Sequence, residues 1–277
     1  MERFRSQIID WANEHDDIRA VLVVGSRAQR ARPADDYADF DVVTYSADPR
    51  VYAGDQAWLA RFGTLWVALL DWLGEDEPEW LALYDGGDKL DIAFFALDRL
   101  KRHLESGDLG DVLGRGYEVL VDKDGLAARL PPPPDAMRPA DPPTPERFAA
   151  AINTFWYGAV YVAKQIKRDN LWTVKYRDWT MKQQLLAMVE WHARAVNGWD
   201  YDTWYEGKRI TEWADTKTLA ALNQCFGHFD AADSWRALLA TMDLFRRLAT
   251  ETAARLGYAY PAALDAHATG YVKGLGM

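Results

Sequence analysis

Apolar residues follow two different patterns along this chain, and the change falls near residue 145. Before it, short apolar runs rich in β-branched residues alternate with polar stretches, as in AVLVV at 20–24 and FDVVTYS at 40–46. Such runs predict buried β-strands. After it, apolar residues recur at intervals of three and four over long stretches, which predicts amphipathic helices. We therefore expect a mixed first half and an all-helical second half.

The same reasoning places the other elements. In the first half we expect an amphipathic helix at 2–16, a loop at 31–37, one helix within 56–73, a β-hairpin at 79–97 that turns at Gly86 and Gly87, a helix near 98–105 and a strand at 117–122. In the second half we expect four or five antiparallel helices, with helical patterns at 145–170, 173–198, 215–227 and 234–257. Strands mixed with helices, followed by a helical bundle, indicate the α+β class.

Prolines mark the boundary between the halves. Eight of the 12 prolines lie between Pro131 and Pro145. Because proline continues neither a helix nor a central strand, this stretch predicts an extended linker. The expected organisation is a first domain at 1–130, a linker at 131–145 and a helical domain at 146–277.

Composition narrows the class of partner. The net charge of −10 repels phosphate backbones, so we expect no nucleic-acid partner, whereas a cationic small molecule would be attracted. The single cysteine, Cys225, excludes an internal disulfide and fits a reducing compartment. No apolar stretch has the length of a membrane span and no signal peptide is visible, so we expect a cytoplasmic protein without membrane attachment.

Aspartates are concentrated around the second strand. Asp39 and Asp41 are two residues apart, so on a strand they share a face, and Asp91 lies in a later strand segment, KLDIAFF. Three converging carboxylates are costly unless a divalent cation neutralises them, and Mg²⁺ prefers carboxylate and phosphate oxygens. We therefore expect a Mg²⁺ site at these three residues. Asp35 and Asp36 lie in a polar loop, and we expect them to be solvated.

A glycine turn adds a second signal. The first strand ends in Gly25-Ser26-Arg27, where glycine allows close approach to a phosphate and Ser26 with backbone N–H groups can bind its oxygens. Twelve residues separate Ser26 from Asp39-Phe40-Asp41. This combination, with a third carboxylate on a later strand, resembles the signature of the nucleotidyltransferase superfamily that includes DNA polymerase β.

The resemblance extends over nearly the whole chain. The segments VVGSRA, DYADFDVV, LDIAF, TFWYGAVYVAKQIKR, YEGK and ARLGYAYP are similar to the aminoglycoside 6-adenylyltransferase family, the streptomycin-modifying enzymes. This implies a polymerase-β-like mixed sheet, a helical bundle and a cleft between them where ATP and antibiotic meet. It also implies transfer of AMP to a hydroxyl, most readily the 6-hydroxyl of streptomycin, with release of pyrophosphate. We further expect a monomer.

The resemblance also implies residue roles. Asp39 and Asp41 would hold Mg²⁺ on the triphosphate, while Asp91 would ligate the metal or accept the hydroxyl proton as general base. We also expect residues that contact the triphosphate and residues that contact the acceptor. Cations for the triphosphate are Arg27, Lys164 and Lys208, beside Gly25 and Ser26, and acidic or aromatic contacts to a polycationic acceptor are Asp178, Glu190, Trp204 and Glu206.

Two other functions fit the sequence. The same chemistry on a lincosamide or a protein hydroxyl would use the same carboxylates. A binding protein that keeps the fold without catalysis is a third possibility, but a catalytically inactive site has no need of three clustered aspartates.

Overall fold

The computed structural model describes residues 2–29, 34–134 and 139–276. Its internal contacts divide the chain into two units, Met1–Arg138 and Pro139–Met277. Residues 31–33 of the predicted loop and 135–138 of the predicted linker lie outside the described residues. The domain limits expected from the sequence stay a prediction.

A mixed sheet forms the centre of the first unit, as the α+β class requires. Its described strands run in the order β3-β4-β5-β2-β1-β6, with β2 and β5 parallel and the other neighbours antiparallel. The elements in chain order are α1 (Glu2–Glu14), β1 (Ile18–Val24), β2 (Phe40–Ser46), β3 (Leu65–Gly74), β4 (Glu77–Tyr84), β5 (Lys89–Ala96), α2 (Leu97–Ser106), α3 (Gly110–Gly114) and β6 (Glu118–Asp122).

The two faces of the sheet are covered differently. One face packs against α1, whose Phe4, Ile8 and Trp11 are fully or almost fully buried with strand residues such as Ile92. The other face carries a separate cluster that includes Leu100 of α2 and further residues of the segment that follows it. The predicted strands at 20–24, 40–46 and 117–122, the hairpin at 79–97 and the helices at 2–16 and 98–105 are thereby confirmed.

The expectation of one helix within 56–73 is wrong. A short 3₁₀ helix covers Ala57–Phe62, and after Gly63, with φ +145°, the chain continues as the edge strand β3. Pairing with β4 decides this, because it supplies hydrogen bonds to an apolar segment whose composition suits a helix or a strand equally well. The side chains then alternate, with Ala68 and Leu70 packed on the core while Val67 and Leu69 are exposed.

Helices make up the regular structure described for the second unit. They are α4 (Pro145–Lys167), α5 (Leu171–Asn197), the single-turn α6 (Ile210–Trp213), α7 (Thr216–Cys225), α8 (Ala231–Leu256) and α9 (Ala262–Gly276). Thr144 caps α4 by accepting a hydrogen bond from the Arg147 N–H, with Pro145 in the first turn, and α5 and α8 end at Gly198 and Gly257. The core includes Phe155 and Phe245, whose rings stack at 3.6 Å. Among the described helices, none is both long enough and apolar enough to cross a membrane.

Candidate active site

Strand pairing brings the predicted carboxylates together. Asp41 on β2 is the register partner of Asp91 on the parallel strand β5, so both side chains lie on the same face of the sheet. Asp39 lies directly before β2 on the same side. One carboxylate oxygen from each of the three lies within 4.8 Å of the others, and all three residues are half-buried. Three oxygen donors at this spacing fit a hard divalent cation such as Mg²⁺.

The turn after β1 lies against this cluster. Val24 pairs with Asp41, so the next residue, Gly25, enters a 3₁₀ turn beside that carboxylate with φ +67°. A Cβ at this position would overlap Asp41 Oδ2 and lie 3.1 Å from its Cγ. Glycine is therefore required both by the backbone angle and by the approach to Asp41. Ser26 is half-buried in the same turn.

Arg27, the last residue of this turn, is hydrogen-bonded to the residues that precede β2. Its Nε donates to the Asp39 carbonyl at 2.9 Å and its Nη2 to the Ala38 carbonyl at 2.6 Å. These bonds fix the end of the loop that precedes β2, and so the position of Asp39. Its expected contact with phosphate stays a prediction.

Lys89 is a member of the cluster that the sequence reasoning missed. Its Nζ donates to Asp39 Oδ2 at 2.9 Å and to Asp91 Oδ2 at 2.7 Å. Burial lowers the Lys89 pKa, but the hydrogen bonds to Asp91 and Asp39 outweigh it, so the pKa is raised. The sequence could have indicated this position, because residues 89 and 91 are two apart on a strand and therefore share a face.

Asp91 is more enclosed than Asp39. Its side chain is 13% exposed, against 41% for Asp39. Burial raises its pKa, Lys89 opposes this, and the charge of Asp39 adds to it. Asp91 Oδ1 is buried without a hydrogen-bond partner in the described structure. One oxygen of this group thus binds the lysine while the other is available to a metal or a proton.

A fourth carboxyl group on this face, Glu79 of β4, was also missed. Burial raises the pKa of Glu79 to about 7, and the charges of Asp91, Asp71 and Asp41 add to the effect while Lys89 opposes it. The alternation in EPEWLALY places Glu79 on the opposite face of its strand from Trp80, but the sequence alone does not indicate which strand lies beside it.

The predicted residues of the helical unit lie in varied surroundings. Asp178 is bound at 2.6 Å by Lys182, which also donates to Thr241 at 3.0 Å, so its carboxylate already has a buried cation. Glu190 is half-buried, and burial raises its pKa against the opposing charges of Arg194 and Arg147. These two residues stay predictions as acceptor contacts.

The YEGK segment, residues 205–208, and the residues on either side of it have an unusual backbone. Trp204, Glu206 and Arg209 have φ values of 55°, 53° and 58°, in the left-handed region that costs energy for residues other than glycine. Lys208 is exposed, with its Nζ 5.5 Å from the Tyr205 ring centre, and Lys164 is exposed with its Nζ 5.3 Å from that of Tyr271. Both lysines stay predictions as triphosphate ligands, and Trp204 and Glu206 as acceptor contacts.

Comparison with known proteins covers both units. A family profile described as Streptomycin adenylyltransferase matches residues 2–275. The chain is similar to the aminoglycoside 6-adenylyltransferase of Bacillus subtilis (strain 168), with 25% identity over 278 residues that cover 96% of this chain and 94% of that protein. It is also similar to the aminoglycoside 6-adenylyltransferase of Campylobacter jejuni, with 24% identity over 261 residues, 92% of this chain and 88% of that protein.

A solved structure is similar as well. The crystal structure of an aminoglycoside 6-adenyltransferase from Bacillus subtilis aligns with 99% of this chain and 98% of its own, at 19% identity and a TM-score of 0.48.

Proposed function

Because the chain belongs to the streptomycin adenylyltransferase family of nucleotidyltransferases, we propose that it transfers AMP from Mg-ATP to a hydroxyl of an aminoglycoside and releases pyrophosphate. The observation that carries this proposal is the grouping of Asp39, Asp41 and Asp91 on one face of the sheet, beside the Gly25 turn. The curated relatives are named aminoglycoside 6-adenylyltransferases, so the acceptor we propose is the 6-hydroxyl of streptomycin.

The chemistry requires charge neutralisation, alignment and a base. The acceptor oxygen attacks the α-phosphorus of ATP, the bond from this phosphorus to the bridging oxygen breaks, and pyrophosphate leaves with the electron pair. A bound Mg²⁺ would neutralise charge on the triphosphate. Asp39 and Asp41 would hold it, and Gly25 lets the chain approach the phosphates closely, with Ser26 as a hydrogen-bond donor.

Asp91 has two possible roles in this scheme. As a metal ligand it would contribute a carboxylate oxygen beside Asp39 and Asp41. As general base it would take the hydroxyl proton on Oδ1, the oxygen that Lys89 does not bind. Its raised pKa brings the carboxyl group closer to the range in which a base works at neutral pH.

We assign Arg27, Lys164 and Lys208 to the triphosphate, and Asp178, Glu190, Trp204 and Glu206 to the acceptor, as parts of the same proposal. An ATP-dependent reaction on a small cationic antibiotic also leads us to propose a cytoplasmic monomer without a nucleic-acid partner, in keeping with the net charge of −10.

The test is pyrophosphate release with a panel of acceptors. ATP and Mg²⁺ are combined with streptomycin, other aminoglycosides, a lincosamide and a protein acceptor. We expect turnover with streptomycin and with no acceptor outside the aminoglycosides. Turnover only with the lincosamide or the protein, or turnover with none of these acceptors, would contradict the proposed substrate.

Variants then test the site. Asp39→Asn and Asp41→Asn should each lower kcat at least about 10²-fold, because each removes a ligand from the group that positions the triphosphate. Asp36→Asn is the matched control, since Asp36 is exposed in the same segment and should keep full activity. Near-normal turnover in both site variants at saturating Mg²⁺ would exclude the metal assignment.

The role of Asp91 is decided by two measurements on Asp91→Asn. Loss of a general base lowers kcat about 10²–10⁴-fold and leaves the dissociation constant of Mg-ATP unchanged. Loss of a metal ligand weakens Mg-ATP binding as well. A variant that keeps full kcat with streptomycin would remove Asp91 from the mechanism.

A further inference from the structure

Glu79 lies one strand beyond the carboxylate cluster, on the same face. In the antiparallel pairing of β4 with β5, Leu81 is the partner of Asp91 and Glu79 is the partner of Ala93. Paired residues share a face, so Glu79 is the diagonal neighbour of Asp91. Diagonal neighbours are about 7–8 Å apart, within reach of long side chains or of a small molecule that spans them.

On its other side Glu79 meets a second carboxylate. Asp71 on β3 is its direct register partner, and such residues have Cβ atoms about 4.5–5.5 Å apart. Asp71 Oδ1 accepts a hydrogen bond from the Trp72 N–H at 2.8 Å. Within the described ranges Glu79 has no hydrogen bond and no ion pair. Its carboxylate is therefore half-buried beside like charges, without a protein cation bonded to it.

Apolar side chains of the same face border this carboxylate. Leu69 of β3, the register partner of Leu81, is 61% exposed, and Leu81 is half-buried. An uncompensated carboxylate next to exposed aliphatic carbon matches the chemistry of an amino sugar, which offers a cationic group on a ring with apolar C–H faces. The raised pKa of Glu79 agrees with this geometry, because burial and the neighbouring carboxylates raise it more than Lys89 lowers it.

We propose that Glu79 is an acceptor-binding residue of the active site, which receives an ammonium or guanidinium group of the aminoglycoside and sets specificity for cationic acceptors. This inference rests on the proposed function. The two roles lie on different strands of the sheet. Asp39, Asp41 and Asp91 bind the nucleotide and its metal, and Glu79 on the next strand, β4, binds the cationic group of the acceptor.

The experiment compares two isosteric variants. Glu79→Gln removes the charge at the proposed contact, and Glu75→Gln removes the same charge from the exposed β3–β4 turn. For each, kcat, the KM for streptomycin and the KM for ATP are measured by pyrophosphate release at about pH 8, where the Glu79 carboxyl is ionised. Urea unfolding checks the fold, and Glu79→Gln should be as stable as the unaltered protein or more so, because it removes a repelling charge.

We expect Glu79→Gln to raise the streptomycin KM at least about tenfold while the ATP KM and kcat stay within about twofold, which marks lost acceptor binding. Glu75→Gln should change nothing beyond about twofold. In the unaltered protein, streptomycin affinity measured by calorimetry should rise between about pH 6 and pH 8 as Glu79 loses its proton, and this rise should be absent in Glu79→Gln.

Other results overturn the inference. An unchanged streptomycin KM in an active Glu79→Gln variant refutes it and leaves the proposed function standing. A loss of kcat at constant KM also refutes it, because it makes Glu79 part of the chemical step. If the unaltered protein neither turns over nor binds any aminoglycoside, the proposed function and this inference both fail.

Discussion

Replacement of Gly25 by alanine tests whether the glycine turn positions the carboxylates of the proposed active site. The added Cβ would overlap Asp41 Oδ2 and lie 3.1 Å from Asp41 Cγ. Carbon atoms in contact are ordinarily about 3.5–4.0 Å apart, so the Asp41 carboxylate has to move by roughly 1 Å. Gly25 also has φ +67°, where an alanine is strained.

These two effects have separate magnitudes. The left-handed backbone costs an alanine about 1–2 kcal/mol of folding free energy. A displacement of about 1 Å in a positioning group lowers the rate roughly 10²-fold, which corresponds to about 2.7 kcal/mol of activation free energy. Gly25→Ala should therefore lose most of its activity while its loss of stability is moderate.

Gly86→Ala is the matched control. Gly86 lies in the turn between β4 and β5 with φ +88°, and a Cβ there would meet nothing within 4 Å. It carries the same kind of backbone strain without contact to a side chain of the proposed active site. Urea unfolding should show similar losses for the two variants. Pyrophosphate release with streptomycin should show a roughly 10²-fold lower kcat for Gly25→Ala alone. Equal kcat in both variants, at temperatures where both are folded, would refute the argument that this glycine positions Asp41.

Two further predictions concern charge. Lys89→Met removes the ammonium that is bonded to Asp39 and Asp91. Because one charged hydrogen bond contributes about 1.5–3 kcal/mol, Mg²⁺ should bind this variant about tenfold more tightly and raise its melting temperature more than that of the unaltered protein. Calorimetry that shows weaker Mg²⁺ binding would contradict this. In the helical unit, burial raises the pKa of Asp265, but hydrogen bonds from Arg246, Tyr260 and Thr269 outweigh burial and leave the pKa lowered. The ionised Asp265 therefore stabilises the folded protein above about pH 4, and this stabilisation is lost as the pH falls through the pKa of the folded state. Asp265→Asn should lower the free energy of unfolding by about 3–5 kcal/mol at neutral pH, with a smaller difference in acid, and an equal difference at both pH values would exclude the ionised pair as its cause.

Two groups of carboxylates lie on the same face of the sheet, and a protein cation is bonded to one of them. Near β2, Lys89 bonds to two of the three aspartates. One strand further along the sheet, Glu79 and Asp71 are opposite each other, and no hydrogen bond or ion pair to Glu79 is found among the described residues. The protein thus supplies a cation at the first position, and at the second we propose that the acceptor supplies it.

Local sequence determined much of the candidate active site. A glycine at the end of an apolar strand, and two aspartates separated by one residue, fix which side chains share a face, because the period of a strand is two. The same logic identified the turn at Gly86 and Gly87, where both φ values are positive. The change of period near residue 145 likewise separated the strand-containing half from the helices of the second.

Tertiary structure decided what depends on partners far along the chain. Residues 65–74 became a strand because β4 was available to pair with them, and apolar composition alone does not distinguish that outcome from a helix. Lys89 bonds to Asp39, fifty positions away, only because β2 and β5 are neighbours. The pKa of Glu79 follows from the burial and charges that β3, β5 and β2 bring to it. Pairing between distant strands, and the electrostatics that result from it, are properties of the assembled sheet, whereas the alternation of side chains belongs to each strand by itself.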